Sequence, residues 1–323
     1  MMLTGLLLID NVDVYSNYGL YVKNYAPLLT MPQYKSSSIT TTDWHESDGL
    51  DADLSAPVLD GRQFQLQFHL AHPNAPSDAQ VLLSDLTSQV YHTFNFPVLG
   101  KTHTLRLVTN PSFAQNARFD TLSLTFAEDA VTIPTVAVPT QETGIPLGYI
   151  IDDADFALYG CTVVKGTRDS FLKFGQPKEA LKRSFRTVVG INYDSGDTIH
   201  LKTRDITVNL HMRTATVAEF WARWYALWNA VLKIDTAAQT LTDRAVRTIE
   251  GDGMTFRCYY KSSNPTRFLL LEDGGVWCDF SITFSVLSYS RGDEWFYLTW
   301  QDGTPVIFED DNPSDIAHYI RIR

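Results

Sequence analysis

Cysteine is scarce in this chain. Cys161, Cys258 and Cys278 are the only three in 323 residues. An odd and sparse set excludes a disulfide framework, and each lies in a predicted strand, so buried reduced thiols are expected. Long apolar runs are also missing. Leu6-Leu7-Leu8-Ile9 meets Asp10 at once with no basic segment before it, which reads as a first strand and not a signal peptide. No run approaches the length of a membrane span, so folding in a reducing cytoplasm is expected. Positive charge is short as well. There are 26 Lys and Arg against 37 Asp and Glu, a formal charge of −11. This argues against a protein held to nucleic acid through phosphates, though not against a surface that DNA passes without sticking.

Catalytic motifs are absent too. There is no Gly-x-Ser-x-Gly, no phosphate-binding Gly-rich loop and no Cys-x-x-Cys. His69 and His72 are the only close histidine pair. They sit at a predicted strand end, where residues three apart point to opposite faces. Asp51, Asp53 and Asp60, and Glu309, Asp310 and Asp311, read as solvated acidic loops. Arg291-Gly292-Asp293 is a three-residue match to an adhesion tripeptide and carries little. No catalytic residue, metal or cofactor is expected, and the chain does not read as an enzyme.

What is present is β-forming material, repeated. Aromatic residues make up 12% of the chain, with abundant Thr, Val and Leu. Ile9, Arg62 and His69 return as Ile151, Arg204 and His211, each 142 residues on. Thr104-Leu105-Arg106-Leu107 returns as Thr255-Phe256-Arg257-Cys258. Asn110-Pro111 with Phe113 returns as Asn264-Pro265 with Phe268, and Ser123–Phe126 as Ser281–Phe284. A repeat of this length is a domain, not a solenoid unit.

Each repeat opens with a strand, Leu6–Val14 or Tyr149–Phe156. A glycine turn at Gly19 or Gly160 leads to a second strand, Leu20–Tyr25 or Cys161–Lys165. Polar stretches at 30–56 and 167–198 follow, each expected to form an extended arm ordered by a neighbour. Phe64, Leu66, Phe68 and Leu70 alternate with polar residues, as do Ile206, Val208, Leu210 and Met212, which gives two half-buried strands. A helix follows each. The first spans about Ser77–Val90, with Ser77 as cap and Val81, Leu82, Leu86 and Val90 inward. The second spans about Thr216–Val231, with Thr216 and Glu219 as a capping box. Its face of Phe220, Trp221, Trp224, Leu227, Trp228 and Val231 is broader than one sheet requires. A bulky core explains it, with contact to a second subunit as the alternative. Strands at Thr104–Val108, Thr121–Ala127, Met254–Lys261 and Trp277–Val286 complete the pattern. The fold expected is mainly β: a β-sandwich or flattened barrel with one helix per domain. The divisions are a first domain 1–128, a Pro-rich linker 129–147, a second domain 148–289 and a C-terminal hairpin tail 290–323.

These residues resemble the distal tail protein family of long-tailed bacteriophages. The resemblance rests on Tyr18-Gly19, on Ser47-Asp48-Gly49-Leu50-Asp51 with Asp53-Leu54, on Gly61-Arg62 leading into Phe64–Leu70, and on the helix after it. It covers about residues 6–128, and residues 149–288 keep Tyr159-Gly160, Arg204 and the strand–helix step. The family often carries a carbohydrate-module-like C-terminal domain, whereas this chain carries a second copy of the first. Two such domains in one chain also resemble hub and tube proteins that form pseudo-sixfold trimers. The resemblance implies a structural ring in a virion tail, linking tail tube to tip or hub proteins around a channel for DNA. The ring would be a homohexamer or a homotrimer. Candidate inter-subunit contacts are Ser38, Trp44, Asp48 and Tyr193 in the arms, and Trp221, Trp224 and Trp228 on the helix. The competing reading is a β-sandwich carbohydrate-binding or adhesion protein.

Overall fold

The computed structural model describes residues 4–289 except 71–74, 109–111, 115–119, 180–181, 185, 188, 194–198 and 233–244. The expected C-terminal hairpin at 290–323 lies outside the described residues, as do His72, Arg291-Gly292-Asp293 and Glu309–Asp311.

The opening strand expected over Leu6–Val14 is in fact a small hairpin and a helical turn. Strands β1 (Leu8–Ile9) and β2 (Val12–Asp13) pair antiparallel. Asp10 and Asn11 between them have φ of 50° and 67°. A two-residue hairpin turn of this hand needs positive φ at both positions, and Asp and Asn tolerate it best after Gly. Helix α1 (Val14–Tyr18) follows, capped by the Asp13 carboxylate, which accepts from Ser16 N, and closed by Gly19 at φ 65°.

Strand β3 (Leu20–Val22) and a 3-10 turn at Ala26–Leu29 precede the first arm, a hairpin of β4 (Thr40–Thr42) and β5 (Asp51–Asp53). In β6 (Arg62–Leu70) the alternation is realised: Phe64, Leu66, Phe68 and Leu70 are buried while Gln63 and Gln65 are exposed. Helix α2 (Ala75–Thr87) begins two residues before the expected Ser77 cap. It buries Ala79, Leu82 and Leu86, but Val81 and Val90 are exposed. Ala79, Leu82 and Leu86 define one stripe, Val81 lies off it, and Val90 falls beyond the helix end. Strands β7 (His92–Phe96), β8 (Lys101–Leu107), β9 (Ser112–Ala114) and β10 (Asp120–Glu128) complete the first sheet.

The second half runs β11 (Ile150–Ile151), β12 (Ala154–Asp155), a 3-10 turn at Phe156–Tyr159, β13 (Cys161–Val163) and α3 (Thr167–Leu172). Next come the paired β14 (Lys182–Arg183) and β15 (Asn192–Tyr193), then β16 (Asp205–Thr214) and α4 (Val217–Leu232). Strands β17 (Val246–Gly251), β18 (Met254–Leu270) and β19 (Val276–Tyr289) end it. In α4 the Thr216 hydroxyl accepts from Glu219 N at 3.1 Å, and the Glu219 carboxylate reaches back to Ala215 N at 3.2 Å. The capping box is present, with its return bond one residue upstream.

The first sheet has strand order β2-β1-β7-β8-β10-β6-β3, with β9 beside β10. The second has β12-β11-β17-β18-β19-β16-β13. The two orders correspond position by position, and every ladder is antiparallel. The central ladders bury matching rows, Leu66 opposite Leu124 and Phe64 opposite Phe126 in one, Val208 opposite Ile282 and Ile206 opposite Phe284 in the other. The fold is thus mainly β, with curled antiparallel sheets. Each half carries one long and one short helix. Strand β18 extends nine residues past the expected Lys261 end, in the place taken by β8 and β9 in the first sheet. Its pairing with β19 shifts register between Pro265 and Arg267, where a proline is tolerated. One continuous apolar cluster runs through both halves, and Val131, Ile133 and Val136 of the linker pack against it.

Candidate functional site

The boundary between the halves is built on α4. Towards its own sheet, Trp224 lies 4.6 Å from Phe280 and 5.6 Å from Phe220, which in turn meets Phe268. Towards the first sheet, Trp221 Nε1 donates to Leu99 O at 2.8 Å. The Lys101 ammonium sits 4.6 Å from the Trp221 ring centre and 4.4 Å from that of Tyr225, and the Arg62 guanidinium lies 5.5 Å from Trp228. Trp221, Trp224 and Trp228 are all buried within the chain. The breadth of this aromatic face therefore has an internal cause, because one helix is covered by two sheets.

Beside it lies a buried ionic cluster that no sequence motif marks. Arg62 donates through Nε to Glu128 Oε2 at 2.5 Å and through Nη1 to the carbonyls of Leu28 and Thr30, both at 2.8 Å. His103 Nδ1 meets the other Glu128 oxygen at 3.0 Å. Burial would raise the Glu128 carboxyl, but the His103 hydrogen bond and the Arg62 charge outweigh it and hold it below the usual range. Lys101, His103, Glu128 and Tyr225 line a cavity of about 280 Å³ here. Arg204, 142 positions after Arg62, does the matching work in the second half. It donates to the carbonyls of Ser170 and Phe171 and lies 4.7 Å from the Phe256 ring. Both arginines donate to main-chain carbonyls of a short helical segment, Leu28 in the 3-10 turn for Arg62 and Ser170 and Phe171 in α3 for Arg204.

The arms meet within one chain. Asp48 accepts from Leu201 N at 2.7 Å and pairs with His200 at 3.3 Å. Gly49 N donates to Leu201 O at 2.9 Å and Leu50 N to Leu287 O at 3.0 Å. Lys178 donates to the carbonyls of Trp44 and Gly49 and pairs with Asp43 at 2.5 Å. The first arm was expected to need a neighbouring subunit to order it. Its tip instead docks on residues of the second half, because polar backbone there finds donors and acceptors in the same chain. Ser38 sits at the base of the arm, its hydroxyl accepting from Val58 N and donating to Lys35 O. Trp44 is 53% exposed, with its Nε1 3.3 Å from Asp51. Tyr193 lies on β15, opposite Lys182.

All three cysteines are free and buried, and burial pushes each thiol well above its ordinary value. Among the described residues no group of three or more His, Cys, Asp or Glu is placed to hold a metal ion. None of the described helices is long and apolar enough to cross a membrane. Beyond Tyr259 the outer edge of β18 has no strand partner among the described residues.

No protein-family model matches the chain, and no curated protein matches it. Among solved structures it is similar to the crystal structure of the SPP1 Dit (gp 19.1) protein, described as a paradigm of the hub adsorption apparatus in phages infecting Gram-positive hosts. The identity is 12%, the TM-score 0.29, and the match covers 87% of this chain and 98% of that one.

Proposed function

We propose that this protein is a structural ring component of the distal tail or baseplate hub of a bacteriophage or prophage, made of two tandem copies of one tail-tube-like domain. The domains are 1–128 and 148–289, joined by the linker 129–147. The observation that carries the reading is the identical strand order of the two sheets, on top of the sequence likeness of residues 6–128 to the distal tail family. Repeated β domains suit an assembly. The outer edge of β18 past Tyr259, which has no strand partner among the described residues, is one that a neighbouring subunit would cover, since ring closure is the general way to remove such edges. The first arm around exposed Trp44, with half-buried Ser38 and Asp48 beside it, is the second contact, together with Tyr193 on β15. The α4 indoles serve the join between domains in this proposal. The ring holds three chains or six, links tail tube to tip proteins and encloses a channel for DNA. An acidic lining would keep the duplex mobile, in line with the charge of −11.

Negative-stain imaging of the purified chain tests the reading. A closed ring of domain-sized lobes is expected, about six if it holds three chains and about twelve if it holds six. Monomer-sized particles that bind glycans would replace it with the adhesion reading. A gel shift with duplex DNA at physiological salt would overturn the channel proposal alone. Deleting residues 36–50 is expected to leave a folded protein that no longer assembles.

A further inference from the structure

We propose that the first half carries a proton-operated latch at its opening hairpin, and that the second half holds the same latch shut with an arginine. The two latches share one plan. Asp10 N donates to Thr93 O and Thr93 N donates back to Asp10 Oδ1, at 2.9 and 2.8 Å. Asp152 and Thr248 repeat both bonds at the same lengths. In each half the other carboxylate oxygen takes a bond from the residue before that threonine, His92 or Arg247. That residue then reaches a carbonyl one position before the end of the long helix. His92 Nε2 stands 3.1 Å from Leu86 O of α2, and Arg247 Nε donates to Val231 O of α4 at 3.2 Å. The last carbonyls of a helix lack intrahelical donors, and a cation there is favoured by the helix dipole. So one cation ties the hairpin turn to the helix end in both halves.

Arginine keeps its proton at any ordinary pH, but histidine does not. Two of the three contacts of the His92 ring are to acceptors, a carboxylate at 2.6 Å and a carbonyl at 3.1 Å, and the third is to the Gln89 amide nitrogen. Only the imidazolium can donate to both. Once neutral, the ring has one N–H, and a lone pair then faces either Asp10 or Leu86 O. Gln89 is placed for the exchange. Its amide donates to Asp10 Oδ2 at 3.0 Å and lies 3.2 Å from His92 Nδ1, so it can turn to serve the neutral ring while Asp10 swings out. The other groups around this site are few. Tyr18 of α1 donates to Asp85 of α2 at 2.6 Å and lies within electrostatic reach of Asp10, while β8 presents Leu105 opposite His92. The ring of His92 is 4% exposed, so water cannot replace the lost partner there. The hold that the two donations give is weakened when the ring gives up one of its protons. The hairpin and α1 of the first half would then loosen, and their counterparts would not.

Hydrogen exchange of the full chain, corrected for intrinsic rates, tests this. Segments 5–19 and 148–160 are compared at about pH 5.5 and about pH 8. Protection of 5–19 is expected to fall about tenfold at the higher pH while 148–160 holds. His92→Arg should abolish the fall, and His92→Gln should give the loosened state at both pH values. Equal responses of the two segments, or a pH response that survives in His92→Arg, would overturn the proposal. Should the variants fold poorly, the ¹⁵N signals of His92 in the unaltered protein decide, since a neutral ring at about pH 5.5 overturns it as well.

Discussion

The guanidinium of Arg62 lies 5.5 Å from the indole of Trp228, across the boundary between the two sheets. The same guanidinium is ion-paired to Glu128 within the first sheet. One residue therefore couples the closing strand of one half to the helix of the other. Its counterpart Arg204 lies over Phe256 of the second half.

Removing either partner should be costly. Arg62→Ala strands Glu128 in a largely buried site, a loss of about 3–5 kcal/mol. Trp228→Ala opens a cavity between the halves at a similar cost of about 3–5 kcal/mol. Arg62→Lys should not recover stability, because one ammonium cannot reproduce the fork that reaches Glu128, Leu28 and Thr30. Denaturant unfolding of the three variants checks this. A loss below about 1 kcal/mol for Arg62→Ala would show that the cluster contributes little.

Gly49 should resist substitution where Gly100 does not. At Gly49, φ is +79° and a Cβ would fall 2.1 Å from Leu287 O, whereas at Gly100, with φ of +60°, nothing lies within 4 Å. Gly49→Ala is expected to undock the arm and expose residues 36–61 to limited proteolysis. Gly100→Ala should cost about 1 kcal/mol, from backbone conformation alone, and leave the arm protected. Equal proteolysis of both variants would contradict the close approach.

Acid should weaken the boundary between the halves. Glu128 has a folded pKa held below its ordinary value of 4.5. A depressed carboxyl contributes stability that is present above the unfolded pKa and lost as pH falls through the folded one. Unfolding midpoints measured from about pH 6 downwards should therefore drop more steeply in the unaltered protein than in Glu128→Gln, which starts lower and stays flatter. Parallel curves would mean that other carboxylates dominate.

The cysteines should be silent in the native state. With three buried thiols whose ionisation is suppressed, a thiol reagent at neutral pH should label none of Cys161, Cys258 and Cys278 until the chain is unfolded. Mass spectrometry of native and denatured samples reads this directly. Rapid native labelling of any one would show that its strand opens.

Much of this fold is legible locally. Alternation in Phe64–Leu70 and Ile206–Met212 reports a strand with one buried face, because side chains on a strand point alternately up and down. The Thr216 and Glu219 cap is equally local, since its donors and acceptors lie within one turn. The offset of 142 between Arg62 and Arg204 is enough to mark two equivalent sheet positions. Strands β7 and β17 are hard to discern because His92–Phe96 and Val246–Gly251 are short and each follows a stretch that resembles a connector. The opening hairpins read as single strands because their turns show only as Asp10-Asn11 and Asp152-Asp153 between apolar residues.

By itself, then, the order of residues determined the strand faces and the long helices, since each depends on neighbours a few positions apart. Only the tertiary structure decided that the α4 indoles face a second sheet and that Asp48 reaches Leu201. The same is true of Arg62, Glu128 and His103, brought together from three strands, and of Asp10 and Asp152, which meet His92 and Arg247 more than eighty residues away. Those contacts depend on which distant strands pair within each sheet and on how the two sheets meet, and burial of a charge or an aromatic ring follows from that arrangement and not from the local sequence.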